Sequence, residues 1–189
     1  VTAPYRPPEP LADHHDVGGF TCRSTEQTEW LRRHARQSAA TGTTRVFVVT
    51  EIDSSRVVAY YGWCMAQLSP AAAPDRVRKG AARYPQPVAL LARLGVEVAH
   101  EGRGLGAALL QDVFARLLEL SDDIGCRGLL VHAESAEARS FYLHLVPEFE
   151  RSRTDDLHLM LLMKDIHKTI GRRITNPTTS LAMTPGRDL

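Results

Sequence analysis

Cysteine is scarce in these 189 residues: Cys22, Cys64 and Cys126 are odd in number, widely spaced and without a Cys-x-x-Cys pair. Disulfide scaffolds and zinc sites use paired, closely spaced cysteines, so reduced buried thiols are expected and a metal site is not. No apolar run approaches the roughly 18 residues of a membrane helix. Val1 to Pro10 is proline-rich and lacks the apolar segment of a secretion signal. A cytoplasmic chain with no membrane contact is therefore expected. Excess charge is lacking too, since 23 Lys and Arg stand against 22 Asp and Glu for a net +1. Any surface for a polyanion must come from local clustering. What the chain does have is apolar content, 43% of residues, enough for one core at this length.

Alternating apolar stretches and turn residues outline a mixed α/β chain. A strand is expected near Asp16 to Cys22, a helix from Thr25 to Gln37, and strands at Arg45 to Glu51 and Val57 to Met65, turned at Ser54-Ser55. Pro70 to Pro87 reads as a polar insertion, or a short helix with loops, carrying Arg76, Arg78, Lys79 and Arg83. Further strands follow at Leu91 to Val98, Gly128 to Ala133 and Leu157 to Met163. The organisation expected is a flexible arm over residues 1–15, one domain over 16–170, and a poorly ordered polar tail over 171–189.

The most informative stretch joins the strand ending at Val98 to Glu101-Gly102-Arg103-Gly104-Leu105-Gly106 and then to a helix. Leu105, Leu109, Val113 and Leu117 recur every four residues, while Gln111, Asp112, Arg116 and Glu119 fall outside the stripe. Asp122, Asp123 and Gly125 end it. The first turn of a helix leaves backbone N–H groups unpaired, and aligned peptide dipoles add partial positive charge there, so such a junction binds anions. A plain structural turn reads the same residues. So does Gly-x-Gly-x-x-Ala, a variant of the dinucleotide fingerprint. That fingerprint normally opens a domain and wants an acidic residue about 20 positions on; here the turn comes late, and the next strand ends only at Glu134.

After that strand, Glu134-Ser135-Ala136-Glu137-Ala138-Arg139-Ser140-Phe141-Tyr142 starts a second helix. Together the two segments resemble the Gcn5-related N-acetyltransferases, and within them the toxins of toxin–antitoxin pairs that acetylate aminoacyl-tRNA. The resemblance rests on Phe20-Thr21-Cys22, Trp30-Leu31, Ala59-Tyr60-Tyr61, Arg93-Leu94-Gly95-Val96-Glu97, Gly102 to Gly106, Val131-His132-Ala133 and Ala138 to Tyr142. It runs from about residue 16 to 170. Departures are Glu101 where Gln or Arg is usual, Gly95 for Ala, Glu97 for Asp, and Leu145 to Phe149 where a tighter Phe-Gly-Phe ending is usual.

The fold implied is a mixed, splayed central sheet flanked by helices, with acetyl-coenzyme A as cofactor. The resemblance places its pyrophosphate on Gly102, Arg103, Gly104, Leu105, Gly106 and Ala107, and its pantetheine arm against Val96, Val98, Ser135, Ala138, Phe141 and Tyr142. It gives the Val98 N–H the role of oxyanion-type donor and Tyr142 that of general acid toward the departing sulfur. Spacing agrees in part, because Ser135, Ala138 and Tyr142 share one helical face. Ser135 also reads as a plain N-cap, and Tyr142 as an aromatic packed on the sheet. His132 reads as a strand-end histidine before a base, and Glu97 as a base through water or an exposed carboxylate.

Chemistry narrows the acceptor. An α-amino group has a reference pKa of about 7.7 to 8.0, against about 10.4 for lysine, so it needs less help from a base. The lack of an obvious His-carboxylate pair in the sequence favours the former. The activity implied is acetylation of the α-amino group of aminoacyl-tRNA, which inhibits translation. The partners implied are that tRNA and a ribbon-helix-helix antitoxin that binds operator DNA, with the toxin as a homodimer. Arg76, Arg78, Lys79 and Arg83 are the candidate tRNA contacts. Two rivals stand beside this reading: an acetyltransferase for a small amine or a protein N-terminus, and a non-catalytic module binding RNA or coenzyme A.

Overall fold

The computed structural model of the protein describes residues 5–79 and 83–175. Strands β1 (Glu9–Pro10), β2 (Arg45–Thr50), β3 (Val57–Leu68), β4 (Gln86–Val96), β5 (Gly128–His132), β6 (Glu150–Arg151) and β7 (His158–Leu162) make one sheet, ordered β1-β2-β3-β4-β5-β7-β6. The β4–β5 pair is parallel and the other neighbours are antiparallel. Helices α1 (Thr25–Arg33), α2 (Ala35–Ala40), α3 (Asp75–Arg78), α4 (Leu105–Ser121), α5 (Ala136–Leu145) and α6 (Met163–Thr175) flank it. This is the expected mixed α/β architecture.

Strand alternation sorts the core into two layers. On β2, Phe47 and Val49 face α4, α5 and α6, where Leu109, Val113, Leu117, Tyr142 and Ile166 pack. Val46 and Val48 face α1 and α2, with Leu31, Ala35 and Tyr60. The segment around α3 extends that second layer through Val77, Val88 and Leu130. With both faces covered, β3 reads as a nearly unbroken apolar run, VVAYYGW. Helix α4 forms because its four-residue stripe buries Leu105, Leu109, Val113 and Leu117. Helix α1 starts at Ser24, whose side chain accepts from the Gln27 N–H.

The feature that positions the site is a gap. Pairing of β4 with β5 covers only Ala89↔Leu129, Leu90↔Leu130 and Leu91↔Val131, while β4 runs on to Val96 beside β3. Beyond Leu91 the two parallel strands diverge and leave a wedge.

Several elements differ from expectation. The strand expected over Asp16 to Cys22 is not formed; Asp16 makes one isolated bridge to Arg56, and Gly18-Gly19 breaks the alternation so that Val17 and Phe20 plug the α1 layer instead. The arm expected over residues 1–15 is, from Tyr5 on, part of the sheet edge: β1 pairs with β2, and the Arg6 guanidinium donates to Ile52 C=O at 2.6 Å. The first helix breaks at His34, whose N–H caps α1 on Trp30 C=O. The strand before the glycine turn starts at Gln86 and stops at Val96. Helix α6 carries regular structure to Thr175, past the expected domain end; the rest of the tail, 176–189, lies outside the described residues. The three cysteines are half-buried rather than buried, and free.

Candidate active site

Hydrogen-bond parity identifies the donors on the wedge wall. Glu97 N–H donates to Val58 C=O at 2.8 Å, and the register is regular from Arg93↔Gly62 to Val96↔Ala59. In an antiparallel pair the groups alternate in direction. The N–H groups of Gly95 and Arg93 thus face β3 like that of Glu97, while those of Leu94 and Val96 face the wedge, where β5 no longer runs. Val98 does not do this. It lies in a single turn of 3₁₀ helix, Val98–His100, and its N–H donates to Thr21 C=O at 3.0 Å. Its N–H is therefore not free for the oxyanion role expected of it, because β4 ends before Val98 and the chain there is tied to the segment preceding α1; the amides that face the wedge are those of Leu94 and Val96.

The glycine turn fits a phosphate. Gly104 is the N-cap of α4 at φ 82°, a left-handed conformation that other residues adopt at a cost. Having no side chain, it cannot cap the first turn, and the first intrahelical bond is Ala108 N–H to Gly104 C=O. The amides of Leu105, Gly106 and Ala107 are left for a ligand. Gly106 serves packing: a Cβ there would stand 2.9 Å from Phe141 Cζ, so its absence lets the first turn of α4 sit against the Phe141 ring of α5.

Side chains brace this turn. Arg103 donates to Tyr5 Oη at 3.3 Å and to Ala99 C=O at 3.2 Å, and Tyr5 is hydrogen-bonded to His100 at 2.8 Å. Glu101 pairs with Arg23 at 2.7 Å, which neutralises the carboxylate that stands where Gln or Arg is usual. Glu97 is buried and paired with Arg56, so it is neither an exposed carboxylate nor a free base.

Tyr142 sits on the opposite wall. The cleft between the strands is lined by Gln27, Leu91 to Leu94, His132 to Glu134, Ala138 and Tyr142. The Tyr142 ring packs edge-on to Phe141 and Phe149 at 5.2 and 6.1 Å, and burial holds its phenol well above the usual range. It stays protonated at physiological pH and can donate. Ser135 acts as the N-cap of α5, accepting from Ala138 N–H at 3.2 Å, and so is engaged by its own helix.

The insertion splits. Arg76 is held by Glu150 at 2.8 Å and by buried Asp165 at 2.9 Å, a clamp between α3 and the β6 and α6 segments. Arg78, Lys79 and Arg83 line an open hollow of about 510 Å³ with Tyr84, which is 74% exposed. The hollow lies at the start of β4, some eight residues or roughly 26 Å from the wedge at about 3.3 Å per residue. Glu9, His14 and His15 also gather potential ligand atoms within 4.8 Å of one another. His15 Nδ1 accepts the Ala12 N–H, so its proton sits on Nε2, facing Glu9. That tautomer offers a metal no lone pair.

Comparison with known proteins places the chain in a family. The chain is 42% identical over 167 residues to the tRNA-acetylating toxin of Mycobacterium tuberculosis (strain ATCC 25618 / H37Rv), covering 88% of this chain and 98% of that protein. It belongs to the tRNA-acetylating toxins. No protein-family model matches it. Among solved structures, the toxin AtaT complexed with acetyl-methionyl-tRNAfMet superposes with a TM-score of 0.79 at 23% identity, over 88% of this chain and 99% of that one. A tyrosine-to-phenylalanine mutant of AtaT bound to the C-terminus of the antitoxin AtaR gives 0.74 at 21%, over 87% and 96%. These toxins share the fold.

Proposed function

We propose that this chain transfers the acetyl group of acetyl-coenzyme A to the α-amino group of aminoacyl-tRNA and thereby blocks translation. The observation that supports this most is the wedge, with unpaired strand amides on one wall, a protonated tyrosine on the other, and a capless helix N-terminus at its end. When bound, acetyl-coenzyme A supplies an acetyl thioester, an acyl group activated for attack by an amine. The amides of Leu105, Gly106 and Ala107 hold the pyrophosphate, and those of Leu94 and Val96 pair with the pantetheine arm or polarise the acetyl carbonyl. Arg103 and Ala138 border the two ends, with Gly102, at φ 71°, completing the turn.

Tyr142 holds a proton for the sulfur. With a phenol near 10 and a thiol near 8.5, transfer is uphill by about 2 kcal/mol, and burial of Tyr142 widens the gap. The hydroxyl therefore acts as a hydrogen-bond donor that gives up its proton only as negative charge develops on sulfur.

The tRNA backbone runs from the wedge toward Arg78, Lys79, Arg83 and the exposed Tyr84 ring; Arg76 leaves that set because its ion pairs serve the fold. A small amine in the wedge would not reach these cations. The partner is a ribbon-helix-helix antitoxin that covers the active site and binds operator DNA, and the toxin acts as a cytoplasmic homodimer. Among the described residues no helix is long and apolar enough to cross a membrane.

The test compares charged tRNA with a bare aminoacyl ester across ionic strength. Apparent affinity for the tRNA should fall at least about tenfold between 50 and 200 mM salt as phosphate counterions are released, with no slope for the ester. Equal acetylation of both without a slope would favour a small-amine acetyltransferase.

A further inference from the structure

We propose that His132 is the group that takes the proton from the acceptor ammonium, which makes the outer face of the wedge an α-amine site. The proposal rests on the acetyl-transfer reading and adds a residue to it. His132 is the last residue of β5, one past Val131, where pairing with β4 stops. It lines the same cleft as Tyr142 and Gln27. Strand alternation places its side chain with Leu130, on the α1 side of the sheet, whereas Tyr142 comes from the α5 side. A thioester in the wedge thus has its sulfur donor on one face and an imidazole on the face from which an amine enters.

The surroundings keep that imidazole neutral. Its ring stacks on His158 with centroids 3.7 Å apart and planes at 13°. His158 Nε2 in turn lies 3.5 Å from Asp155 Oδ2. Burial, and then repulsion from His158, lower the pKa of His132, with Asp155 opposing. The other charged or titratable groups on the cleft are Arg93 on β4, ion-paired to Glu26 of α1; Glu134 beyond β5, which accepts from the Ser24 hydroxyl; and Tyr142 on α5. Stacked rings share no N–H···N bond, so the pair is no relay. His132 is exposed enough to return the proton to water.

The step balances. The ammonium loses a proton to His132, and the freed nitrogen lone pair forms the N–C bond to the acetyl carbon. The C–S bond breaks, its electron pair leaves on sulfur, and sulfur takes the Tyr142 proton. The acylated nitrogen then gives up its second proton through water, which restores Tyr142, while His132 passes the first proton to water, so the net release is one proton.

The pH dependence of single-turnover acetylation of aminoacyl-tRNA tests this, in wild type and in His132→Gln. With a neutral base in place, the wild-type rate should be nearly flat between pH 6.5 and 8. Without it, the variant depends on amine that has already lost its proton, so its rate should rise about tenfold per pH unit below the amine pKa, from a deficit of about 10²-fold at pH 6.5. Coenzyme A affinity, read by calorimetry, should be unchanged. His158→Gln provides a second reading that spares the proposed base: by removing the ring whose repulsion lowers the His132 pKa, it should move the acid limb of the rate upward in pH. A parallel pH profile for wild type and His132→Gln, or an unmoved limb in His158→Gln, would overturn the assignment. Absence of tRNA acetylation by wild type would overturn the underlying reading instead.

Discussion

Gly95 occupies a position where the resembling toxins carry Ala, and the structure gives a reason. A Cβ on Gly95 would lie 2.8 Å from Tyr60 Cε1 and 3.4 Å from both Phe20 Cζ and Tyr60 Cδ1. Ordinary carbon contacts are about 3.5 to 4.0 Å, so the ring must retreat by roughly 1 Å. It has little room. Tyr60 is fully buried, its hydroxyl donates to Gln27 C=O at 2.7 Å and to Gln27 Oε1 at 3.0 Å, and its ring meets Phe20 edge-on at 5.4 Å. Overpacking of this kind costs about 1–3 kcal/mol, while removing glycine freedom from the unfolded chain returns about 0.4–1 kcal/mol. Gly95→Ala should therefore destabilise by about 1–2 kcal/mol, lowering Tm by roughly 2–8 °C for a chain of this size. Gln27 lines the cleft, so the same push should reduce acetyl transfer. Tyr60→Phe frees the ring from Gln27, and in that background Gly95→Ala should cost about 1 kcal/mol less. Thermal melts of the four proteins in the cycle measure it. A stabilising Gly95→Ala, or strict additivity with Tyr60→Phe, would refute the reasoning.

Other outcomes follow from the same geometry. Gly104→Val should abolish coenzyme A binding by calorimetry, since a β-branched residue at φ 82° strains the N-cap and its side chain would stand where the anion approaches the amides. Neutralising Arg78, Lys79 and Arg83 together should flatten the salt slope for charged tRNA, by roughly one unit of slope for each phosphate that is no longer neutralised. Arg76→Gln should leave that slope alone and instead lower stability by about 1–2 kcal/mol, less than a fully buried pair because the Arg76 side chain is 43% exposed. Because Tyr142 is held protonated by burial, the pH–rate profile should show no alkaline loss attributable to it below about pH 10.

The sequence carried the parts whose signals are local. The stripe from Leu105 to Leu117 sets α4, the glycines set the turn before it, and Ser24 and Ser135 start α1 and α5 as caps. What it did not carry depends on distant partners. The donors on the wedge wall are Leu94 and Val96 rather than Val98 because of a ladder to β3 and a bond to Thr21, neither visible in the run from Leu91 to Val98. Arg76 looks like its basic neighbours until Asp165 and Glu150 fold against it. The edge strand Glu9–Pro10 is two residues long and contains a proline, too short for alternation to register. Gly106 reads as a phosphate glycine, yet the atom that requires it belongs to Phe141 on another helix.

On the proposed reading, an acetyl group passes to the α-amino group of aminoacyl-tRNA with Tyr142 as donor to the sulfur. Intact tRNA mass spectrometry after incubation with labelled acetyl-coenzyme A tests it most directly, run with wild type and Tyr142→Phe. Label is expected on the α-nitrogen of the charged amino acid with wild type, and a rate lower by about 10²-fold or more with a folded, cofactor-binding Tyr142→Phe. Unlabelled charged tRNA with wild type, or equal rates for the two proteins, would contradict it.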